Sequence, residues 1–154
     1  MNKSETINET YKHKSNVSKY IGFVIKELIE RANTHDDSKI SSFEADGFAK
    51  YTEILKDLTY GSEEYKETLK NMKPFLDHHY KHNRHHPEHF ENGIKGMTLV
   101  DVVEMLCDWK AASLRHSDGN IHESIELNQK RFGYSDELKA IFLNTASLFR
   151  EAIE

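Results

Sequence analysis

The chain has 154 residues, 31% charged and 37% hydrophobic, with a net charge of −5; this fits one ordinary domain and excludes a protein that coats nucleic acid through bulk positive charge. Two prolines and seven glycines leave room for long helices and exclude a turn-rich β-sandwich. A single cysteine excludes an internal disulfide framework, no apolar run is long enough to span a membrane, and no signal-peptide core opens the chain, so a cytoplasmic protein is expected.

In chain order, the pattern predicts a first helix over residues 8–32. Its apolar positions Val17, Tyr20, Ile21, Val24, Ile25, Leu28 and Ile29 recur at helical spacing, with Lys and Glu between them. Residues 33–39 break the pattern. Ser41 followed by Glu44 reads as a capping box that opens a second helix to about Leu58. Tyr60-Gly61-Ser62 reads as a turn, and Ser62 as the N-cap of a third helix over residues 63–80. Pro74 inside that helix predicts a kink or a restart. Residues 85–97 read as a loop, marked by Pro87, Gly93 and Gly96. Thr98 and Asp101 read as an N-cap with an acid at N3, opening a helix over residues 99–115 that carries Leu99, Val102, Val103, Leu106 and Trp109. A turn at 117–120 precedes helices over 121–132 and 136–153, split by Gly133 and capped at Ser135. The expectation is an all-α, single-domain bundle of five to six helices over residues 1–154.

The unusual number is ten histidines, six of them between His78 and His89. His79 follows Leu76 by three residues and Met72 by seven, so it continues the apolar face of its helix. His78 and His82 share a flanking face. Pro87 ends helical continuation after His85 and His86, so at least one of these can turn back toward His79. Imidazole suits Zn, Fe, Mn, Ni or Co. A solvated, pH-titrating patch is the alternative, and it leaves the apolar register of His79 unexplained.

Two further motifs bear on this window. His35-Asp36, with Lys39 three residues on, can give a divalent ion one nitrogen and one oxygen, with a cation nearby for phosphate. A surface turn in which the Asp bonds its own backbone fits the same residues. Glu104 and Asp108 lie four apart on one helical face beside Leu106 and Trp109, and a cation between them would relieve the cost of their charge. A salt bridge from Asp108 to Lys110, Arg115 or Arg84 is the competing reading. Asp101 is assigned to the helix N-terminus, and Cys107 is expected to be a small buried residue. Arg84, Arg115, His116, Asn120, Asn128 and Arg131 form a basic and amide set suited to phosphate, although a surface carboxylate is the expected partner of Arg131.

Together, His35-Asp36, the His79/His85-His86 cluster and Asp108 resemble the HD-domain superfamily of metal-dependent phosphohydrolases. The segment His35-Asp36-Asp37-Ser38-Lys39 is similar to the HDxxK form of the branch that cleaves cyclic dinucleotides, and His85-His86-Pro87-Glu88 to that branch's HHE element. More closely, the strings His78-His79-Tyr80, Asn83-Arg84-His85-His86-Pro87-Glu88-His89-Phe90 and Glu104-Met105-Leu106-Cys107-Asp108-Trp109 resemble a family common in bacteriophage genomes whose function is unknown. The resemblance implies an HD-like helical fold and one or two divalent ions (Mn, Fe, Zn, Ni or Co) held by His35, Asp36, His79, His85 or His86, and Asp108. It implies no substrate. The superfamily's first ligand is a His on the opening helix in an HxxxV context, which His13 and Val17 match locally. One straight helix from His13 to His35 would separate them by ~33 Å. The first helix therefore breaks near Gly22, or His13 acts elsewhere, or the site is organised around residues 78–89.

Three functions follow as expectations. The first is a metal-dependent phosphohydrolase acting on a nucleotide or other small phosphorylated molecule, with Lys39 and Arg84 on the phosphoryl charge and Glu104 orienting a ligand or accepting a proton. The second is an HD-type di-iron oxygenase. The third is a non-enzymatic, phage-encoded protein that binds a signalling nucleotide or a host protein, placed in the host cytoplasm. A homodimer would offer His13 a second subunit's site.

Overall fold

The computed structural model describes residues 2–58, 62–114 and 119–151. Among them are six α-helices and no strand, so the chain is all-α. The helices are α1 (Lys3–Thr34), α2 (Ser42–Lys56), α3 (Glu63–His82), α4 (Leu99–Ser113), α5 (Ile121–Phe132) and α6 (Asp136–Glu151), with 3-10 turns at Asp37–Ile40, Pro87–His89 and Gly93–Gly96. The expected turn at Tyr60-Gly61 and the candidates Arg115 and His116 lie outside the described residues. No described helix is long and apolar enough to cross a membrane. The chain divides into two compact units, Met1–His35 and Asp36–Glu154.

The first unit is α1 alone. It starts well before residue 8, because Asn2 forms a full capping box: its side chain accepts from the Glu5 amide at 3.0 Å while its own amide donates to Glu5 Oε2 at 2.8 Å. The helix runs unbroken through Gly22, where a Cβ would meet nothing within 4 Å. A break near Gly22 is thereby ruled out, and His13 stands 22 residues from His35 along one helix, ~33 Å at the helical rise. The apolar periodicity of α1 is real, but no residue of the helix is buried, and Tyr20, Ile21 and Ile25 are exposed.

The second unit holds two cores of different chemistry. An apolar core is built by α4, α5 and α6 from Met105, Leu106, Ile121, Ile125, Tyr134, Phe142 and Ala146. Trp109 packs against it, its ring parallel to Phe132 and edge-on to Phe142. The Tyr134 hydroxyl donates to the Ile125 carbonyl, and burial together with the Glu126 charge pushes its pKa up to about 12. Gly133 ends α5 in the left-handed region, φ 65°, where a side chain would be strained. Three apolar expectations fail on α4. Leu99 sits in its first turn and is 81% exposed, and Val103 and Cys107 face outward.

The other core is polar and lies where α2 meets α3. Ser41 and Ser62 cap these helices as the sequence predicts. Helix α3 is continuous through Pro74, so no restart occurs. The missing backbone bond there is offset by packing on both sides of the proline, with Met72 buried and the Phe75 ring 4.9 Å from Phe43. Gly47 permits this approach, because a Cβ at that position would run into the Phe75 ring. The close contact brings Glu44 of α2 against the imidazoles at the C-terminal end of α3.

Candidate metal centre

Glu44 is completely buried, and its carboxylate serves the histidines rather than the helix cap. Ser41 still caps α2 by accepting from the Glu44 amide. The side chain turns inward: Oε1 lies 2.6 Å from His78 Nδ1, and Oε2 lies 3.0 Å from both His79 Nδ1 and Ser38 Oγ. Burial alone would raise its pKa, but hydrogen bonds from His78, Ser38 and His79 outweigh that and hold it below the usual carboxylate range. Asn83, also buried, donates to the Ser38 hydroxyl at 2.6 Å and to the His79 carbonyl at 2.7 Å. This lattice ties the turn at Asp37–Ile40 to α2 and α3.

On its far side, His79 meets the other candidate ligands. His79 Nε2 lies 2.9 Å from His86 Nε2 and 3.3 Å from Asp36 Oδ1. His85 Nε2 lies 3.5 Å from the same Asp36 oxygen, and its Nδ1 lies 3.1 Å from Glu104 Oε1. One donor atom from each of Asp36, His79, His85 and His86 falls within 4.8 Å of the other three. Donors bound at 2.0–2.2 Å to one tetrahedral ion are ~3.4 Å apart, so these separations match a shared cation. The donors are imidazoles and a carboxylate with no thiolate, which suits Zn, Fe, Mn, Co or Ni. The residues present therefore fit a divalent metal ion.

The protonation states agree with that fit. Burial lowers the His79 pKa, helped by the Lys39 charge and opposed by Glu44 and Asp36. Burial, with His85 and His79 alongside, drives His86 down to about 3 against the pull of Asp108 and Asp36. Both rings are neutral near pH 7 and keep lone pairs for a cation. Asp36 stands at φ 59°, in the left-handed region that non-glycine residues seldom adopt. Its Oδ2 is held by Lys39 Nζ at 2.6 Å, which leaves Oδ1 toward the imidazoles.

The other sequence candidates fall into place around this centre. An Asp108 carboxylate oxygen lies within 4.8 Å of an Asp36 oxygen, and Asp108 acts on His86 through its charge. His35 is the C-cap of α1 and closes the first unit, joined to Asp36 through the chain. The Arg84 fork grips Asp101 through Nε at 3.1 Å and Nη2 at 3.0 Å, and its guanidinium lies over the Phe90 ring. Asp101 also closes the Thr98 capping box, its expected role. Arg131 pairs with Glu88, a surface carboxylate, and Asn120 caps α5. His82 and His89 point Nδ1 at the backbone carbonyls of His78 and Tyr80.

Sequence reasoning missed the lattice of Glu44, Ser38 and Asn83. The cap position of Glu44 accounts for the residue in sequence and gives no cue to a second role. The signal that marks it is a carboxylate in helical register with Gly47, Phe48 and Tyr51, on the face α2 buries.

Fold and site together define an all-α protein with a buried histidine–carboxylate cluster able to hold a metal ion. The chain belongs to a family of unknown function, DUF5662, whose model matches residues 2–153. No curated protein and no solved structure matches it.

Proposed function

We propose that the protein is a metal-dependent phosphohydrolase of the HD type, acting on a nucleotide or other small phosphorylated molecule. The observation that carries this reading is the convergence of Asp36, His79, His85 and His86 donors within 4.8 Å at a mostly buried site. These four would hold the ion, with Asp108 extending the set. When bound, the ion would supply charge for phosphoryl oxygens and acidify water at the site. Glu44 orients the ring of His79, and Glu104 places its charge beside the ring of His85. Lys39, 37% exposed and paired with Asp36, is the cation placed to meet a phosphate. The fork of Arg84 is tied to Asp101, away from the four donors, whereas Lys39 is tied to Asp36, one of them, so Lys39 rather than Arg84 is the cation assigned to phosphoryl charge.

Metal analysis of the purified protein, followed by a panel of phosphodiesters and nucleotides, tests the proposal. One or two equivalents of a transition metal are expected, with hydrolysis falling at least ~100-fold in Asp36→Ala. His86→Ala serves as the second variant. Full activity in either variant sinks this mechanism. Two irons per chain with an oxo-bridge absorption, and no hydrolysis, would replace it with oxygenase chemistry.

A further inference from the structure

We infer that Glu44 is the positioning residue of the centre: its carboxylate holds the His79 ring as the Nδ1–H tautomer, so that Nε2 turns its lone pair toward Asp36 and His86. An ionised carboxylate only accepts hydrogen bonds, and the Asn83 amide nitrogen, also 3.0 Å from Nδ1, spends its two protons on Ser38 Oγ and the His79 carbonyl, so the proton between Nδ1 and Oε2 belongs to the ring. The opposite tautomer would set the His79 Nδ1 lone pair against Glu44 Oε2 at 3.0 Å in a buried setting, whereas the Nδ1–H tautomer turns its Nε2 lone pair to Asp36 Oδ1 at the longer 3.3 Å and to His86 Nε2 at 2.9 Å, a ring nitrogen that can donate. With Nδ1 protonated, neutral His79 has its lone pair on Nε2, the atom 3.3 Å from Asp36 Oδ1.

The same carboxylate also fixes ring rotation. Its other oxygen takes His78 Nδ1 at 2.6 Å, so one side chain of α2 clamps two consecutive imidazoles of α3. The Ser38 hydroxyl donates to Oε2 and, from the same turn that carries Asp36, limits the carboxylate's own rotation. Glu104 Oε1 lies 3.1 Å from His85 Nδ1, a charge contact rather than a second hydrogen-bonded clamp. Two histidines thus face one aspartate oxygen, and the hydrogen-bonded support is that of His79 by Glu44. Outer carboxylates of this kind raise the basicity of a ligating imidazole and fix its tautomer. The consequence for metal affinity rests on the metal reading above, but the tautomer itself does not.

The experiment is imidazole nitrogen–proton NMR on the metal-free, full-length protein with labelled histidine, His79 being assigned by loss of its signal in His79→Gln. The wild type is expected to show His79 protonated at Nδ1, and Glu44→Gln to shift it toward Nε2–H or a mixture. A chelator competition with Zn²⁺ is then expected to show binding ~10–100-fold weaker in Glu44→Gln. His79 as Nε2–H in the wild type, or a tautomer unmoved by Glu44→Gln, overturns the inference; the wild-type spectrum decides even if the variant misfolds. A wild type with His79 as Nδ1–H that binds no Zn²⁺, Mn²⁺ or Fe²⁺ supports the tautomer and defeats the metal reading alone.

Discussion

Single side chains here show how burial sets protonation. His86 is the clearest case, because burial among other rings takes its pKa from the ordinary 6.5 to about 3. The unfolded chain therefore binds more protons than the folded one between those two values. The contribution is full above pH 6.5 and is lost progressively as pH falls toward 3. His79 is shifted the same way and adds to the effect. Glu44 and Asp101 differ: hydrogen bonds hold both below their usual range despite burial, so their contribution persists until pH falls below about 4. Metal-free wild type is expected to lose on the order of 1–3 kcal/mol between pH 7.5 and 4.5 in urea unfolding, and His86→Gln to lose distinctly less. Equal losses in the two proteins would show that His86 does not titrate across this window.

At the scale of helices, the centre depends on how closely α2 approaches α3. Gly47 sits at that contact, and a Cβ there would collide with the Phe75 ring. Alanine is worth ~1 kcal/mol over glycine in a helix, whereas forcing atoms into a packed contact costs ~1–3 kcal/mol. Gly47→Ala is therefore expected to destabilise by about 1 kcal/mol and to weaken Zn²⁺ binding by moving Glu44. Gly22→Ala, on an open stretch of α1, is expected to raise helix stability instead; chemical denaturation and the chelator assay read both. The boundaries of these elements were legible because caps are local: Ser41, Ser62, Thr98 and Gly133 mark helix ends through neighbours within a turn or so. Whether a helix survives a proline depends on packing across helices, which is why α3 runs through Pro74. For the same reason the apolar stripe of α1 marks a helix without marking burial, and no residue of that helix is buried. In the site, His79 was legible from its register on an apolar face. The partnership of Glu44 with two histidines 34 and 35 residues away was not, because spacing carries no record of which α2 face meets α3.

For the molecule as a whole, the Asp36–Glu154 unit joins two kinds of stabilisation through one helix. Helix α4 puts Met105 and Leu106 into the apolar core while Glu104 backs His85 and Asp108 acts on His86. The apolar core stabilises by burial and is indifferent to metal. The polar core keeps neutral imidazoles and a strained aspartate close together, an arrangement that a bound cation would reward. An ion that binds only the folded chain stabilises it by about 2.7 kcal/mol at a hundredfold excess over Kd, a rise in Tm of about 5–10 °C for a chain of this size. Thermal unfolding with Zn²⁺, Mn²⁺ or Fe²⁺, against excess chelator, is expected to show that rise in wild type and to lose it in Asp36→Ala. Ile125→Ala, at a fully buried apolar position, is expected to lower Tm in both conditions by the equivalent of about 2–5 kcal/mol while leaving the metal increment intact. An increment that vanished in Ile125→Ala would mean that apolar packing of α4 sets Glu104 and Asp108, and that the two cores act as one.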